Sequence, residues 1–405
     1  MPKTNMKIKD LKITNVKPLD AGGQGEVMSG ELAHAPGEKY AIKLIERNQQ
    51  LIDRTTAICA NNLCRLSPYI AAPFAFDVTK KSVRHIANFA DGHAIDEGHP
   101  RTFPESLEVI TAAVTQLAML EERGIAHCDL GPDNVRINQQ GEAFIIDLDG
   151  SRIPGTAAAS AVVKGKYPMM APEVRNNNQP PDQYSDRFAF SVLASWVLFN
   201  RHPVSEINIT PKRFGQLMSN GRWPERNNPQ DGSTYPLRVL NAELLHLFDR
   251  GFLLNPYQRP SLEEWRLALF NALHSMRLHS CGQVFVDDGY QHECPFCRVL
   301  LQRDLTQRTL IKLRLPDHGI KMKTELTEGN EIILGRANLP GVGGTVSGRH
   351  LTLSSENGLV FVKQIGRNAT QMIDGDHQIT LSKAVVSQQL DLQLPDGSHL
   401  TISVG

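Results

Sequence analysis

The sequence lacks the features of membrane-spanning, secreted and strongly charged proteins. Its longest apolar stretch, Phe188 to Phe199, is interrupted by two serines and is too short to cross a bilayer. The N-terminal segment, MPKTNMKIKD, has no apolar signal core. With 43 basic and 43 acidic residues, the chain has no overall field that would draw it to nucleic acid or to an anionic membrane. We therefore expect neither as a partner.

Cysteine is also scarce, with six residues in a chain of 405. This number does not form the dense disulfide framework of a small secreted protein. Three cysteines are scattered, and the other three cluster at 281–297. The distribution predicts a reducing, cytoplasmic location and one metal site. The length predicts two or three domains of roughly 100–200 residues each.

The strongest sign of function is a group of polar residues in the middle of the chain. Asp129 and Asn134 lie in a loop marked by Gly131 and Pro132, and Asp147 directly follows an apolar run. Two carboxylates and one carboxamide on turns between short strands can converge on a cation, and oxygen ligands suit Mg²⁺. The alternative is that these acids only cap turns.

The same stretch resembles the catalytic region of protein kinases. His127-Cys128-Asp129 is similar to the His-Arg-Asp motif, and Asp147-Leu148-Asp149 to Asp-Phe-Gly. Further motifs follow in the family's order: a glycine-rich loop at 19–27 (LDAGGQGEV), the lysine strand 40–43 (YAIK), Ala-Pro-Glu at 171–173, Asp186 and Arg259. The resemblance covers residues 8–277 and implies a bilobal domain, with an N-lobe at about 8–90 and a C-lobe at about 91–277.

The resemblance also implies the chemistry and the residues that perform it. A serine/threonine protein kinase transfers the γ-phosphoryl group of Mg·ATP to a protein hydroxyl. Asp129 would orient that hydroxyl, Lys43 would position phosphates, and Asn134 and Asp147 would hold Mg²⁺. The implied nucleotide-binding residues are Gly22, Gly23, Gln24, Gly25, Val27, Lys43, Asn134 and Asp147.

Several positions depart from the family pattern. Cys128 replaces the arginine that receives an activation-loop phosphate, Gly131 replaces a lysine of serine/threonine kinases, and Asp149 replaces the glycine of Asp-Phe-Gly. Asp20 stands at the first glycine of the loop. These departures leave a nucleotide-binding pseudokinase scaffold as the alternative to an active enzyme. Candidate autophosphorylation sites, by their place in the loop alone, are Ser151, Thr156 and Ser160.

The helix predicted at 51–66 should supply a glutamate to pair with Lys43, and it contains none. The expected position falls near Asn61-Asn62, and the acids Glu46 and Asp53 come too early. Three alternatives follow. Either an asparagine orients Lys43, or a carboxylate arrives from elsewhere, or the ion pair is absent.

A short segment at 278–300 carries the clustered cysteines. Cys294 and Cys297 have the spacing at which two thiolates clamp one tetrahedral ion, and Cys281 is the third ligand. His279 is the favoured fourth ligand, with His292 as the alternative. The pattern predicts a structural Zn²⁺ in a zinc ribbon, against an alternative of unligated cysteines.

From residue 306 to 405 short alternating strands predict an all-β sandwich. Gly335-Arg336, 347–350 (SGRH) and 366–370 (GRNAT) resemble the loop signatures of a forkhead-associated domain, although Gly366 and Ala369 replace a serine and a glycine. The resemblance implies a site for phosphothreonine peptides formed by Arg336, Ser347, Arg349 and Asn368. The alternative is a sandwich whose basic loops are merely solvated.

The whole chain is thus predicted to be a multidomain α+β protein with a kinase-like domain, a zinc ribbon and an all-β sandwich. This composite resembles the kinase of a bacterial phosphorylation triad linked to tellurite-resistance gene clusters. The resemblance implies protein substrates, phosphothreonine-containing partners, a PP2C-type phosphatase and a von Willebrand factor A protein. A small-molecule kinase is disfavoured because a phosphopeptide-binding module implies protein partners.

Overall fold

A computed structural model describes residues 11–22, 25–98, 100–156, 165–177, 179–204, 209–227, 235–302 and 308–405. The chain divides into two compact units. The first comprises Met1–Thr234 with Leu247–Leu262, and the second Tyr235–His246 with Glu263–Gly405. The boundary between the two units therefore precedes residue 277, where the kinase-like domain is predicted to end. The domain limits given above stay predictions.

The first unit opens with a five-stranded antiparallel sheet in the order β1-β2-β3-β5-β4. Its strands are Ile13–Gly22 (β1), Gly25–Leu32 (β2), Ala35–Glu46 (β3), Pro73–Val78 (β4) and Ser82–Asn88 (β5). Apolar side chains on alternate positions, such as Leu32, Ile42 and Ile86, form its small core. Two helices follow β3, Gln49–Asn61 (α1) and Leu63–Leu66 (α2). Register pairs Lys43 of β3 with His85 of β5.

The rest of the first unit is mostly helical. It contains His93–Ala94 (β6), Phe103–Glu122 (α3), Val135–Ile137 (β7), Ala143–Ile145 (β8), Pro172–Asn177 (α4), Gln183–Phe199 (α5), Pro211–Met218 (α6) and Pro224–Asn227 (α7). Helix α3 is capped by Thr102. Thr102 and Glu105 form a capping box, and Ser106 is buried inside the helix. Strands β6, β7 and β8 form a small sheet that carries the central loops.

Two helices, Ala242–Gly251 (α8) and Leu262–His274 (α9), cross the division between the units in the sequence. In the second unit, Met276–Leu278 (β9) and Val284–Val286 (β10) form a short antiparallel pair. Among the described residues of both units, no helix has the length and apolar character needed to span a membrane.

The second unit ends in an all-β region of two antiparallel sheets, which confirms the predicted class of this region. The sheets have the orders β12-β11-β20-β19-β16-β17 and β13-β14-β15-β18. The strands are Thr309–Leu315 (β11), Ile320–Leu326 (β12), Glu331–Leu334 (β13), Leu351–Glu356 (β14), Leu359–Gln364 (β15), Gln371–Asp374 (β16), His377–Thr380 (β17), Lys383–Val385 (β18), Gln389–Gln393 (β19) and His399–Val404 (β20). Both sheets share one core, which Leu267 and Phe270 of α9 join.

Candidate active site

A cavity of about 480 Å³ lies in the first unit between the five-stranded sheet and the central loops. Val27, Ala41 and Lys43 line it from the sheet, and Asn134 and Asp147 line it from the loops. Residues 88–90, at the end of β5, line a further wall. Aliphatic surface beside a few convergent polar groups is typical of a small-molecule site.

The glycine-rich loop lies at the turn between β1 and β2. Gly22 pairs with Gly25 across this turn, and Gly23 and Gln24 lie outside the described residues. A Cβ at Gly25 would lie 2.2 Å from the carbonyl oxygen of Leu44, and the φ of +143° also disfavours a side chain. Glycine is therefore required at position 25 for the close approach of β2 to β3.

Lys43 makes two ion pairs at the cavity wall. Its Nζ lies 2.6 Å from Asp147 Oδ1 and 2.7 Å from Asp149 Oδ2. Burial opposes the charge on Lys43, but attraction to Asp149 and Asp147 outweighs it and raises the pKa of the amine. The lysine is therefore held in its charged form by two carboxylates.

Asp149 is the partner of Lys43 that helix α1, which has no glutamate, does not supply. Asp149 is buried, and its Oδ1 lies 3.6 Å from Nδ1 of the buried His85. Burial acts to raise the pKa of the Asp149 carboxyl, but His85 and Lys43 outweigh it, so the pKa lies below its ordinary value. The asparagines of α1 have other contacts, since Asn61 Nδ2 donates to Ala57 O over 2.9 Å. Of the three alternatives, the structure shows a carboxylate that arrives from elsewhere.

Asp129 and Asn134 lie together in the central loop. The Asn134 amide nitrogen donates to the carbonyl oxygen of Asp129 over 2.7 Å, which leaves the amide oxygen as a potential cation ligand. Burial raises the pKa of the Asp129 carboxyl, although Lys166 acts against this. Asp147 adds a second oxygen donor from the adjacent turn, where its φ of 60° is left-handed. The donor set therefore fits Mg²⁺, which prefers oxygen ligands.

Two carboxylates, one buried and one largely buried, brace the loops that carry these residues. Asp186 accepts hydrogen bonds from the backbone N–H groups of His127 (2.5 Å) and Cys128 (3.0 Å). Glu173 accepts two hydrogen bonds from the fully buried guanidinium of Arg259, at 2.7 and 2.8 Å. These contacts orient the loops rather than the substrate.

The candidate phosphorylation sites differ in accessibility. Ser151 is completely buried, and the hydroxyl of Thr156 donates to Ile153 O over 2.7 Å. Ser160 lies outside the described residues.

A second candidate site lies in the second unit, where the ligand atoms of His279, Cys281, Cys294 and Cys297 all lie within 4.8 Å of one another. His279 Nδ1 is 3.2 Å from Cys281 Sγ and 3.5 Å from Cys297 Sγ. Three thiols and an imidazole form a donor set that suits tetrahedral Zn²⁺. His292 is not part of this group.

The loops of the all-β region bring their polar residues into one network. His350 is fully buried, and its Nε2 lies 2.9 Å from Thr370 Oγ1, while its Nδ1 accepts from the Ser347 N–H at 3.3 Å. Asn368 Nδ2 donates to Thr345 O over 2.7 Å, which joins the loop at 366–370 to the loop before Ser347. Arg336 and Arg349 are exposed.

Gly366 explains one departure from the forkhead-associated pattern. A Cβ at this position would lie 2.1 Å from His350 Nδ1, so a serine there requires the imidazole to move. The glycine is therefore a steric consequence of where His350 lies.

The sequence prediction missed the contacts of Asp149 and His85. The sequence identifies Asp149 only as a departure from Asp-Phe-Gly, and it predicts no role for His85. Two features of the sequence together could have predicted the contact with Lys43. Helix α1 has no glutamate, and an additional acid lies two residues after Asp147.

Comparison with known proteins shows the family. The protein kinase domain family matches residues 13–269. Serine/threonine-protein kinase Pkn1 of Myxococcus xanthus is 29% identical over 275 residues, which cover 64% of this chain and 38% of the relative. Serine/threonine-protein kinase pkn2 of the same organism is 27% identical over 202 residues (46% and 24%), and sperm motility kinase 3A of Mus musculus 24% identical over 255 residues (61% and 47%). The matches span less than half the length of each of these relatives. With the family match extending over more than half of its residues, the chain belongs to the protein kinase family.

Proposed function

We propose that the chain is an active serine/threonine protein kinase that uses Mg·ATP. The observation that carries this proposal is the ion pair between Lys43 and Asp149, at 2.7 Å. It supplies the carboxylate that a kinase needs beside its phosphate-binding lysine and that helix α1 lacks. The missing helix glutamate is thereby compensated within the site.

The proposed reaction assigns each group one task. Lys43 binds the α- and β-phosphates, and backbone groups of residues 88–90 contact the adenine. Asp129 orients the substrate hydroxyl and accepts its proton as the oxygen attacks the γ-phosphorus. The bond between the γ-phosphorus and the bridging oxygen breaks, and ADP leaves. Asn134 and Asp147 would hold Mg²⁺, which neutralises charge on the phosphate oxygens.

Labelled ATP distinguishes this enzyme from a nucleotide-binding scaffold. The protein is incubated with γ-labelled ATP and Mg²⁺ and a generic acceptor protein, beside Asp129→Ala, Asp147→Ala and an exposed control, Asp53→Ala. Labelling by the wild type and the control, abolished by the first two changes, supports catalysis. Nucleotide binding without transfer to any acceptor would favour the pseudokinase.

For the second unit we propose a structural zinc site and a phosphothreonine-peptide module. The convergence of His279 with three cysteines supports the zinc site. The network around His350, which joins the loops that present Arg336, Ser347, Arg349 and Asn368, supports the module. A guanidinium such as that of Arg336 recognises phosphate through a bidentate pair of hydrogen bonds.

A peptide panel tests the module. Arg336→Ala should remove binding of phosphothreonine peptides, while Arg314→Ala, a change at an exposed strand arginine in the same unit, should leave it intact. Equal binding by wild type and Arg336→Ala contradicts the assignment. Unphosphorylated peptides provide the second control.

The partners proposed here rest on resemblance alone. A kinase with a phosphothreonine reader implies protein substrates and phosphothreonine-containing partners in the cytoplasm. The similarity to the tellurite-resistance-associated triad extends the proposal to a PP2C-type phosphatase and a von Willebrand factor A protein. Reversal of the kinase's labelling by the phosphatase, with a serine-phosphorylated control protein left intact, would support the first pairing.

A further inference from the structure

The central loop that carries Asp129 lacks a side chain at Gly131, which lies beside Lys166 in the segment between Asp147 and Ala-Pro-Glu. Gly131 has φ −163° and ψ 169°, an extended backbone that any residue adopts. A Cβ at this position would lie 3.1 Å from Lys166 Cδ and 3.6 Å from Lys166 Nζ. The glycine is therefore not needed for the backbone, and its missing side chain leaves room for the lysine.

The backbone before Lys166 fixes this arrangement. Gly165 has φ +75°, and a Cβ there would lie 3.2 Å from the carbonyl oxygen of Cys128 and 3.9 Å from Asp129 Oδ1. On the other side, the N–H of Met169 donates to Lys166 O over 2.8 Å. The lysine is thus held by its neighbours against the loop that carries Asp129.

The Nζ atom of Lys166 is buried beside the loop that carries Gly131. The side chain of Lys166 is 32% exposed and forms an ion pair with Asp133, which is 62% exposed and therefore partly solvated. Lys43, by contrast, is held by two carboxylates at the cavity wall. A cation whose ion-pair partner is partly solvated therefore lies beside the proposed base.

Phosphoryl transfer is favoured by a cation close to the transferred group, beside Asp129. During transfer, negative charge spreads over the three equatorial oxygens of the phosphoryl group, which passes from ADP to the hydroxyl oriented by Asp129. A cation aimed at this charge stabilises the transition state more than the bound substrate. We propose that Lys166 is a catalytic residue that contacts the transferring phosphoryl group, in the space that Gly131 leaves open. This inference rests on the proposed kinase activity.

Replacement of the lysine tests the role. Lys166→Met should lower kcat about 10²- to 10³-fold, the usual effect of removing one group that stabilises transition-state charge. The affinity for Mg·ADP should stay unchanged, because ADP lacks the transferred group. Asp133→Asn removes the ion pair but keeps the lysine, and should change kcat by less than about threefold. Lys80→Met, at an exposed turn of the sheet, is the matched control.

Moving the charge tests the geometry. In Lys166→Ala/Gly131→Lys, the shortened residue 166 makes room for a lysine at 131, and we expect recovery of at least about tenfold in kcat over Lys166→Ala alone. Thermal unfolding of each variant shows whether it is folded. An unchanged kcat in Lys166→Met would overturn the inference and leave the kinase proposal standing. An equal loss in Asp133→Asn would also overturn it, because the ion pair would then be the lysine's role.

A binding measurement separates the inference from the kinase proposal. Fluoroaluminate with Mg·ADP mimics the planar transferring group, so its added effect on thermal stability should vanish in Lys166→Met and persist in Lys80→Met. If the wild type transfers no phosphate, the kinase proposal fails and this measurement decides alone. Loss of the fluoroaluminate effect supports the contact, and an equal effect in wild type and Lys166→Met overturns it.

Discussion

Replacing Asp149 with glycine restores the third residue of the family's Asp-Phe-Gly motif, yet we expect the enzyme to lose activity. The reason is the pairing at the cavity wall. Asp149 lies 2.7 Å from Lys43, and the two side chains are only 8% and 14% exposed. If Asp147 binds Mg²⁺, Asp149 is the carboxylate that still orients Lys43. Removing it leaves Lys43 without that partner in the nucleotide complex.

The size of the effect follows from the kind of contact. A hydrogen bond to a charged group contributes about 1.5–3 kcal/mol. Each 1.4 kcal/mol is tenfold in rate, so kcat/KM should fall about 10- to 100-fold. The effect on folding should be smaller, because the substitution also removes the cost of burying the Asp149 carboxylate.

Steady-state transfer of labelled phosphate measures this loss, with thermal unfolding to confirm that the variant is folded. Asp149→Asn separates charge from the flexibility of glycine and should lose nearly as much activity. Asp53→Asn, an exposed acid on helix α1, should behave as the wild type. Wild-type or higher activity in Asp149→Gly would refute the reasoning, since the family's own motif would then suffice without this carboxylate.

Three further predictions concern stability and metal binding. Glu173→Gln removes one partner of the ion pair with the buried Arg259 and should lower the free energy of unfolding by about 3–5 kcal/mol. Asp249→Asn, in an exposed ion pair, should change this free energy little, and equal denaturant midpoints for the two variants would contradict the prediction. His279→Ala should lose zinc by elemental analysis, and His292→Ala should retain about one ion per chain; the reverse result would assign the fourth ligand to His292. Burial lowers the pKa of His350, so the folded state binds fewer protons than the unfolded state below about pH 6.5. Its contribution to stability is then complete above about pH 6.5 and lost as the pH falls, and thermal unfolding should show a weaker acid loss in His350→Asn than in the wild type.

The order of motifs was enough to predict the kinase domain. Lys43, Asp129, Asn134 and Asp147 carry distinctive neighbours in the sequence, and they gather at one cavity or in its adjoining loop. The alternating strands after residue 306 likewise predicted an all-β region, because a period of two requires only local sequence.

The compensating contacts were not predictable in the same way. Asp149 meets Lys43 across 106 positions of the chain, and Lys166 meets Gly131 across 35. No local period encodes such pairs, because they depend on how the sheet and the loops pack. The sequence shows only that the usual partners are missing, and packing decides what replaces them.

The anchor of Lys43 also bears on how such an enzyme is regulated. Kinases that hold this lysine through a helix glutamate are switched by moving that helix, which makes or breaks the pair. Here the pair contains no atom of α1, and Asp149 belongs to the same short turn as Asp147. A movement of this turn therefore displaces the partner of Lys43 and the proposed metal ligand Asp147 together. Regulators and inhibitors that act by displacing helix α1 would not break the ion pair of Lys43. Regulation of this pair requires a movement of the turn that carries Asp147 and Asp149.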